Sequence, residues 1–542
     1  MDLMPDTMQL SIPVAYNVKG SRVGGINLVD EPVNFQGQYS PQMVNMIVER
    51  TLVRKRQGSS RLGTGDPMSG IGCALISYVD AAGVMHLIAM TTTSAYEYNS
   101  TTDAWDDISE SEDPWTGDQD DVFGWDVVTD ATTFTNNGGS ALCVVNNVDD
   151  VKFYEGQASG TFVTLEHGFT SFASCRDLKE FWNHLFFLGY TDSATRVRSL
   201  AFAAFGDTTD WSGITAGQTT LTDTVGAILR AAKLGQDMMI YSERSISRCQ
   251  YVGGATYFVI PVVVQGTGLL SESSLCSLVK SHFFLATDQR IYSLTQSGAL
   301  GDIGEVVCDA IFRDLDMSLK ARIVAGYDLG RQKVMFFIPG TGDSYPSKCY
   351  AINTGLAGLP WEYHEFPFGV RSVGILRRTA ASAYCDDTDW ASLYADEVPG
   401  YADDKYGQEG YDMTCILTYD GYVYKLDEAT GYDGTSNINC EYQTEDIAPS
   451  SEEEFFRTLW FSFISKATVA STVYVYYSTD EGDTWTALAD SPVTLSTSWA
   501  TYRLPLDVTA RRIRFRLVQQ GFGDLQLREA FTLEIVPSTS RD

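Results

Sequence analysis

Residues 283–294 read FFLATDQRIYSL. An apolar run (FFLA) meets a polar turn (TDQR), and a second run (IYSL) returns with alternating large side chains. That is a hairpin signature. The same strand–turn–strand phrase begins near Leu87 (LIAMTTTSAYEYN), Leu142 (LCVVNNVDDVKFYEG), Leu185 (LFFLGYTDSATRVRSLAF), Met238 (MMIYSERSISRCQY), Val334 (VMFFIPGTGDSYPSKCYAI) and Cys415 (CILTYDGYVYKL). The first five spacings are 55, 43, 53, 45 and 51 residues. A period of that size with several strands per unit is the mark of propeller blades, each of which buries its faces only against its neighbours. The reading is an all-β chain holding a propeller of six to eight blades, and the copies give seven.

The last spacing is 81 residues. Its excess lies near 377–413, in CDDTDWASLYADEVPGYADDKYGQEGYD, and reads as a loop inserted into one blade. Trp105, Trp211 and Trp361 each follow a second strand, a position that predicts packing between adjacent blades. The stretch 308–326 is the best helix candidate, with Ile311, Leu315 and Leu319 at near-helical spacing.

From about Asn437 the pattern changes. In RRIRFRLV, Ile513, Phe515 and Leu517 alternate with Arg512, Arg514 and Arg516, as in a half-buried strand. Dense short strands predict a β-sandwich. The expected division is an N-terminal arm over 1–69, a propeller over 70–436 and a sandwich over 437–542. A strand from the arm could complete a blade and lock the ring.

Composition agrees with a folded β-protein. The 542 residues are 44% hydrophobic and 12% aromatic, with 29 Tyr, 27 Phe and 47 Gly for strands and turns. The formal net charge is -32, which keeps the chain soluble and repels nucleic acid at long range. Ten Cys form no CxxC and sit mostly in apolar runs, so buried thiols are expected, made in a reducing compartment. Residues 1–21 have no basic region leading into an apolar core, and no run reaches membrane-span length. The expectation is a chain folded in a cytoplasm, with no membrane-spanning segment.

The search for chemistry yields little that demands catalysis. His86, His167, His184, His282 and His364 make no HExxH, and there is no GxSxG or GxxxxGK. His184 and His282 border apolar strands and read as strand residues with a satisfied hydrogen bond. Ser478 to Trp485 (STDEGDTW) matches the Asp-box pattern of sialidase-like propellers, but turn chemistry explains each residue. The carboxylate-rich stretch 103–126 lacks the register of a Ca²⁺ loop and reads as an exposed acidic loop. No catalytic, cofactor or metal residues are expected. Arg50, Arg54, Lys55, Arg56 and Arg61 form the densest basic cluster, read either as a contact to a negative partner or DNA phosphates or as a solvated turn.

The arm also carries a resemblance. Val44-Asn45-Met46, then Glu49, then Arg54-Lys55-Arg56-Gln57-Gly58 resemble the VN[ML]…[RK]xPG pattern of tail hub proteins of short-tailed bacteriophages. These are also called packaged-DNA stabilisation proteins and are related to the propeller-built tail nozzles. Gln57 stands where that family commonly has Pro. Residues 181–202 and 269–294 resemble the family's blades. The resemblance implies a structural virion protein and not an enzyme. It implies a homo-oligomeric ring, commonly a homohexamer, below the portal and adaptor proteins. Such a head–tail connector ring continues the channel for viral DNA, helps retain the packaged genome until ejection, and is a platform for tail fibres or spikes. The implied location is the virion tail, after synthesis in the host bacterial cytoplasm. A carboxylate-lined channel would let DNA slide. Two other readings stay open: a sialidase-like glycan hydrolase or depolymerase, for which Asp386/Asp387 and Asp403/Asp404 are candidates by adjacency alone, and a monomeric binding propeller.

Overall fold

The computed structural model describes residues 14–19, 25–32, 35, 39–50, 52–81, 83–156, 160–254, 257–376, 412–428, 430–448, 455–469 and 471–538. The expected insertion at 377–413, with Asp386, Asp387, Asp403 and Asp404, lies outside the described residues apart from its last two positions. The chain divides into two compact units. One comprises Ser59–Cys349 and Phe366–Leu426; the other comprises Met1–Gly58, Tyr350–Glu365 and Asp427–Asp542.

The first unit is the propeller. Blade one is the four-stranded sheet Gly72–Val79, Met85–Thr91, Ala95–Asn99 and Ala104–Asp107. Blade two runs Gly124–Thr129, Ser140–Val145, Lys152–Tyr154 and Val163–Thr164; blade three runs Ser174–Phe181, His184–Thr191, Thr195–Phe202 and Gly217–Thr220. Blade four is built on Ile228–Leu234, Asp237–Ser242 and Ser245–Tyr251, and blade five on Leu275–Ser277, Ser281–Leu285, Ile291–Thr295 and Leu300–Asp302. Blade six begins with Val324–Asp328 and Lys333–Ile338. Blade seven holds Val370–Leu376, Met413–Thr418 and Val423–Glu428, and the strand Gly58–Leu62 is added at its outer side. The seven phrases read from the sequence are the second and third strands of these blades.

Burial explains the ring. One apolar cluster joins Ile76, Ile88 and Met90 of blade one to Leu142, Val144 and Tyr154 of blade two. Others join blades two and three, three and four, and four and five. The seam is closed by Leu75, Leu87 and Ala89 of blade one with Cys415, Leu417 and Val423 of blade seven and Leu62 from the added strand. Each sheet thus buries both faces without any blade being stable alone. The first strands have an open edge, and neighbouring side chains satisfy it: Leu75 N–H donates to Ser372 Oγ (2.9 Å), Ile375 N–H to Ser77 Oγ (2.8 Å), Glu180 N–H to Asp126 Oδ2 (3.0 Å) and Ala231 N–H to Asp177 Oδ2 (2.8 Å). The strands are crowded: at Gly326 a Cβ would lie 2.4 Å from the Val373 side chain, and at Gly374 2.7 Å from the Leu75 side chain.

Trp105 packs as expected between blades, its Nε1 donating to Leu62 O at 3.1 Å. Trp211 stacks on Phe187 in the cluster shared by blades two and three. The helix candidate splits into an α-turn Cys308–Asp314 and a 3-10 turn Met317–Arg322. Leu315 turns extended and the Asp316 carboxylate takes the Ser318 N–H, so a new turn starts instead of the helix continuing. All nine described cysteines are buried free thiols.

The second unit is a β-sandwich. One sheet orders Ala500–Ala510, Phe455–Lys466, Gln526–Ser538, Leu52–Lys55 and Met46–Val48, with Val14–Lys19 also paired to Gln526–Ser538. Facing it are Trp361–Glu365, Met43–Val44, Cys440–Gln443, Arg514–Gln519 and Ser471–Ser478. Phe461 of the first sheet stacks on Phe515 of the second at 3.9 Å, and Ile513, Phe515 and Leu517 are buried as their alternation predicted. The arm differs from the expected 1–69. Met1–Gly58 belongs to the sandwich unit because its strands pair with C-terminal ones, and only the short stretch after Gly58 enters the propeller.

Candidate interaction surfaces

In an up-and-down blade the connections between blades and the turns between second and third strands emerge at one end of the axis. In the propeller unit that end holds a cavity of about 700 Å³. Asp120 and Asp121 reach it from the link between blades one and two, Glu272 and Lys320 from later links, and Arg244 from a turn of blade four. Two of its five acids, Glu272 and Asp120, are held in ion pairs, and Asp121 meets an arginine only through its backbone carbonyl. Arg176 NH1 pairs with Glu272 at 3.1 Å, Arg322 Nε with Asp120 at 2.6 Å, and Arg371 NH2 donates to Asp121 O at 2.8 Å. Burial raises the carboxyl pKa of both Asp121 and Glu272. Arg244 and Lys320 have no carboxylate partner among the described residues. The wall suits a ligand of mixed charge and holds no nucleophile paired with a base.

Deeper along the axis the first strands carry a matched network. Lys233 pairs with Asp126 (3.1 Å) and Glu180 (3.0 Å), and Lys179 with Asp177 (3.1 Å). Burial lowers the Lys179 pKa.

The five histidines are internal. His282 Nδ1 accepts from Tyr241 O–H at 2.8 Å and its Nε2 donates to Lys233 O at 3.0 Å; burial pulls its pKa down to about 4. His184 Nδ1 donates to Ala203 O at 2.7 Å. His167 meets Asp150 at 2.9 Å and His364 meets Glu362 at 3.2 Å. His86 forms a group that the sequence did not announce. It lies between Glu97 (2.5 Å) and Asp80 (3.3 Å), Tyr78 stacks on it at 4.6 Å, and Tyr154 O–H of blade two donates to Glu97 at 2.5 Å. Burial lowers the His86 pKa, but the two carboxylates outweigh it and the net direction is up. The only available signal was the hairpin register that sets Tyr78 opposite His86.

The basic cluster does not form one surface. Arg50 is exposed, and Arg54 Nε pairs with Glu49 at 2.7 Å. Lys55 is 3% exposed, and its Nζ donates to Gln519 Oε1 (2.8 Å), Gly521 O (2.8 Å) and Gly523 O (2.7 Å), while burial lowers its pKa. Arg56 is buried against Asp433, and its Nε donates to Asn45 Oδ1 at 2.9 Å. Arg61, in the propeller, lies over the Tyr422 ring at 4.1 Å. The partner or DNA-contact reading therefore fails for Lys55 and Arg56, whose donors are consumed inside the sandwich.

The acidic stretch is also more built than expected. Trp115 and Phe123 are buried, and the Lys152 ammonium draws in Glu110 (3.0 Å) and Asp113 (2.8 Å). Among the described residues no acid, His or Cys group is placed to hold a metal ion. In the Asp box, Asp480 Oδ1 accepts from Ser478 Oγ (2.6 Å) and Thr484 N–H (3.0 Å), so the carboxylate is spent on its own turn.

No protein family matches the chain, and no curated protein does. Among solved structures the chain is similar to BBS1N in complex with ARL6DN, with 10% identity, 70% of this chain and 99% of that one covered, and a TM-score of 0.38. It is also similar to the Pan2 WD40 domain of Neurospora crassa, with 6% identity, 70% and 98% covered and a TM-score of 0.36. A third similarity is to PorZ, a surface component of the type-IX secretion system of Porphyromonas gingivalis, with 10% identity, 80% and 46% covered and a TM-score of 0.31. At these values none carries an argument about activity. The fold rests on the sheets themselves.

Proposed function

We propose that this chain is a structural protein of a tailed-bacteriophage virion that works by assembly rather than catalysis. It is one subunit of a tail hub or nozzle ring. The ring continues the DNA channel below the portal and adaptor, helps retain the genome and gives fibres or spikes a platform.

One observation carries the reading: the separated pieces of the arm pattern meet in a single buried knot. Asn45 Oδ1 accepts from Arg56 Nε (2.9 Å) and from Glu365 N–H (2.9 Å), its Nδ2 donates to Asn439 O (2.8 Å), and Arg56 N–H donates to Asn45 O (2.9 Å). Asn45 has φ 54°, a backbone shape Asn tolerates better than most residues. Residues that resemble the hub pattern thus act together in folding, which supports the reading.

The test is the purified full-length chain viewed by electron cryomicroscopy, with its mass measured by light scattering. Class averages of a closed ring with a central hole, at several times 59.7 kDa, are expected. A lone disc at the monomer mass would overturn the proposal.

A further inference from the structure

The outer face of one sandwich sheet is unlike the rest of the chain. Inward residues Phe461 and Phe463 pair with Leu504, Tyr502, Leu533 and Phe531, so the alternate residues point out. Those outward residues form cation–aromatic stacks along the sheet. Arg511 lies over Phe455 (4.8 Å), Arg503 over Trp460 (4.2 Å), and Arg528 and Lys466 over Trp499 (4.2 and 5.2 Å). Among the described residues Asp507 holds Arg457 and Glu534 holds Arg503 at 2.7 Å. Lys466 and Arg511 have no carboxylate among the described residues. A chain of net charge -32 therefore shows a cationic, tryptophan-bearing face.

The complementary surface is in the same sequence. Between Arg61 and Lys152 there is no Lys or Arg at all. The outermost strand of blade one, Ala104–Asp107, ends its sheet, and its Asp106 and Asp107, with Asp103 in the turn before it, are exposed. They accept hydrogen bonds from neutral donors, Tyr98 O–H, Asn99 Nδ2 and Ser109 N–H. Nothing cancels their charge locally.

We infer that the cationic sheet face docks onto the acidic rim of blade one of a second copy of this chain. The inference rests on the assembly reading above and names its interface. Opposite potentials that meet across an interface steer association and fix register. Two different patches make a heterologous contact, which propagates head to tail and closes into a ring when the rotation permits. A nucleic acid fits the face less well. Bases bind by stacking on open rings, and here guanidinium groups already lie on Phe455, Trp460 and Trp499.

Sedimentation velocity of the full-length chain tests this with Lys466→Glu/Arg511→Glu and, separately, Asp106→Lys/Asp107→Lys. Each variant should weaken association roughly tenfold or more. Raised salt should do the same to the wild type. An equimolar mixture of the two variants should co-assemble, which a misfolded chain would not do. Variants that assemble like the wild type would overturn this interface and leave the ring reading standing. A wild type that is monomeric at every concentration would overturn both. Retained assembly with loss of binding to single-stranded DNA in the sheet-face variant would assign the face to nucleic acid and overturn the inference.

Discussion

The Arg56 guanidinium and the Asp433 carboxylate meet through two parallel hydrogen bonds, NH1 to Oδ1 at 2.9 Å and NH2 to Oδ2, with side chains only 6% and 2% exposed. Removing one partner leaves the other charge buried alone. Arg56→Ala should cost about 3–5 kcal/mol, read from the urea midpoint. Arg56→Lys should recover little, because an ammonium cannot reproduce the planar fork or reach Asn45 at once. Arg50→Ala, on an exposed residue of the same basic run, should stay within about 0.5 kcal/mol. Equal losses at the two positions would contradict the assignment of Arg56 to the core.

His86 and His282 give the propeller opposite pH dependences. The His86 pKa is raised in the fold, so its contribution is fully present below the unfolded value near 6.5 and is lost as pH rises through the folded value. The His282 pKa falls to about 4, so the folded chain resists protonation there. Stability should therefore fall as pH drops from 6.5 towards 4, by on the order of 3 kcal/mol for this group. Melting curves of His282→Gln should lose the acid-side slope, and those of His86→Gln the slope above neutrality. A His282→Gln profile parallel to wild type between pH 4 and 6.5 would refute the assignment.

The hairpins and the ring could be read from the sequence because second and third strands are buried on both faces and keep a plain apolar pattern, as in Leu142–Val145 and Phe283–Ala286. First strands were harder. Ser174–Phe181 reads SCRDLKEF because Asp177 must bond the open edge of blade four and Lys179 must answer Asp177, so polar residues interrupt the period. The basic cluster misled for a related reason. Charge density suggests a surface, yet Lys55 and Arg56 find their partners at Gln519 and Asp433, hundreds of residues away. The cationic sheet face was equally hidden, since Arg503, Arg511 and Arg528 share it only through strand register.

Lys152 anchors the acidic link between blades one and two. Its side chain is 0% exposed, 3.0 Å from Glu110 and 2.8 Å from Asp113, and 5.2 Å from the Trp115 ring. Lys152→Met keeps the volume and removes the charge. Glu110 and Asp113 stay partly solvated, so the cost should be about 1–3 kcal/mol rather than that of a sealed pair. The sharper outcome is local: residues 108–123 should exchange amide hydrogens and be cut by protease faster, while blades four and five keep their protection. Uniform loss of protection would mean that the contact holds the whole ring instead.

The seam of the propeller depends on a strand from the other end of the chain. Gly58–Leu62 lies beside Val423–Glu428, Leu62 enters the seam core, and Trp105 of blade one donates to Leu62 O at 3.1 Å. The fit is close: at Gly63, with φ 88°, a Cβ would stand 2.6 Å from Trp105 Nε1. Trp105→Phe keeps most of the ring and loses the donor, for about 1 kcal/mol. Trp105→Ala loses the packing as well and, being half-buried, should cost about 2–3 kcal/mol. Leu62→Ala removes a buried side chain at the seam itself and should cost about 2–5 kcal/mol. In hydrogen exchange the two alanine variants should open Val423–Glu428 before any other blade, because at the seam a strand from a distant part of the chain completes the sheet. If the two alanine variants destabilise the fold while exchange at Val423–Glu428 stays at the wild-type rate, the strand closes nothing and its contacts are only local packing.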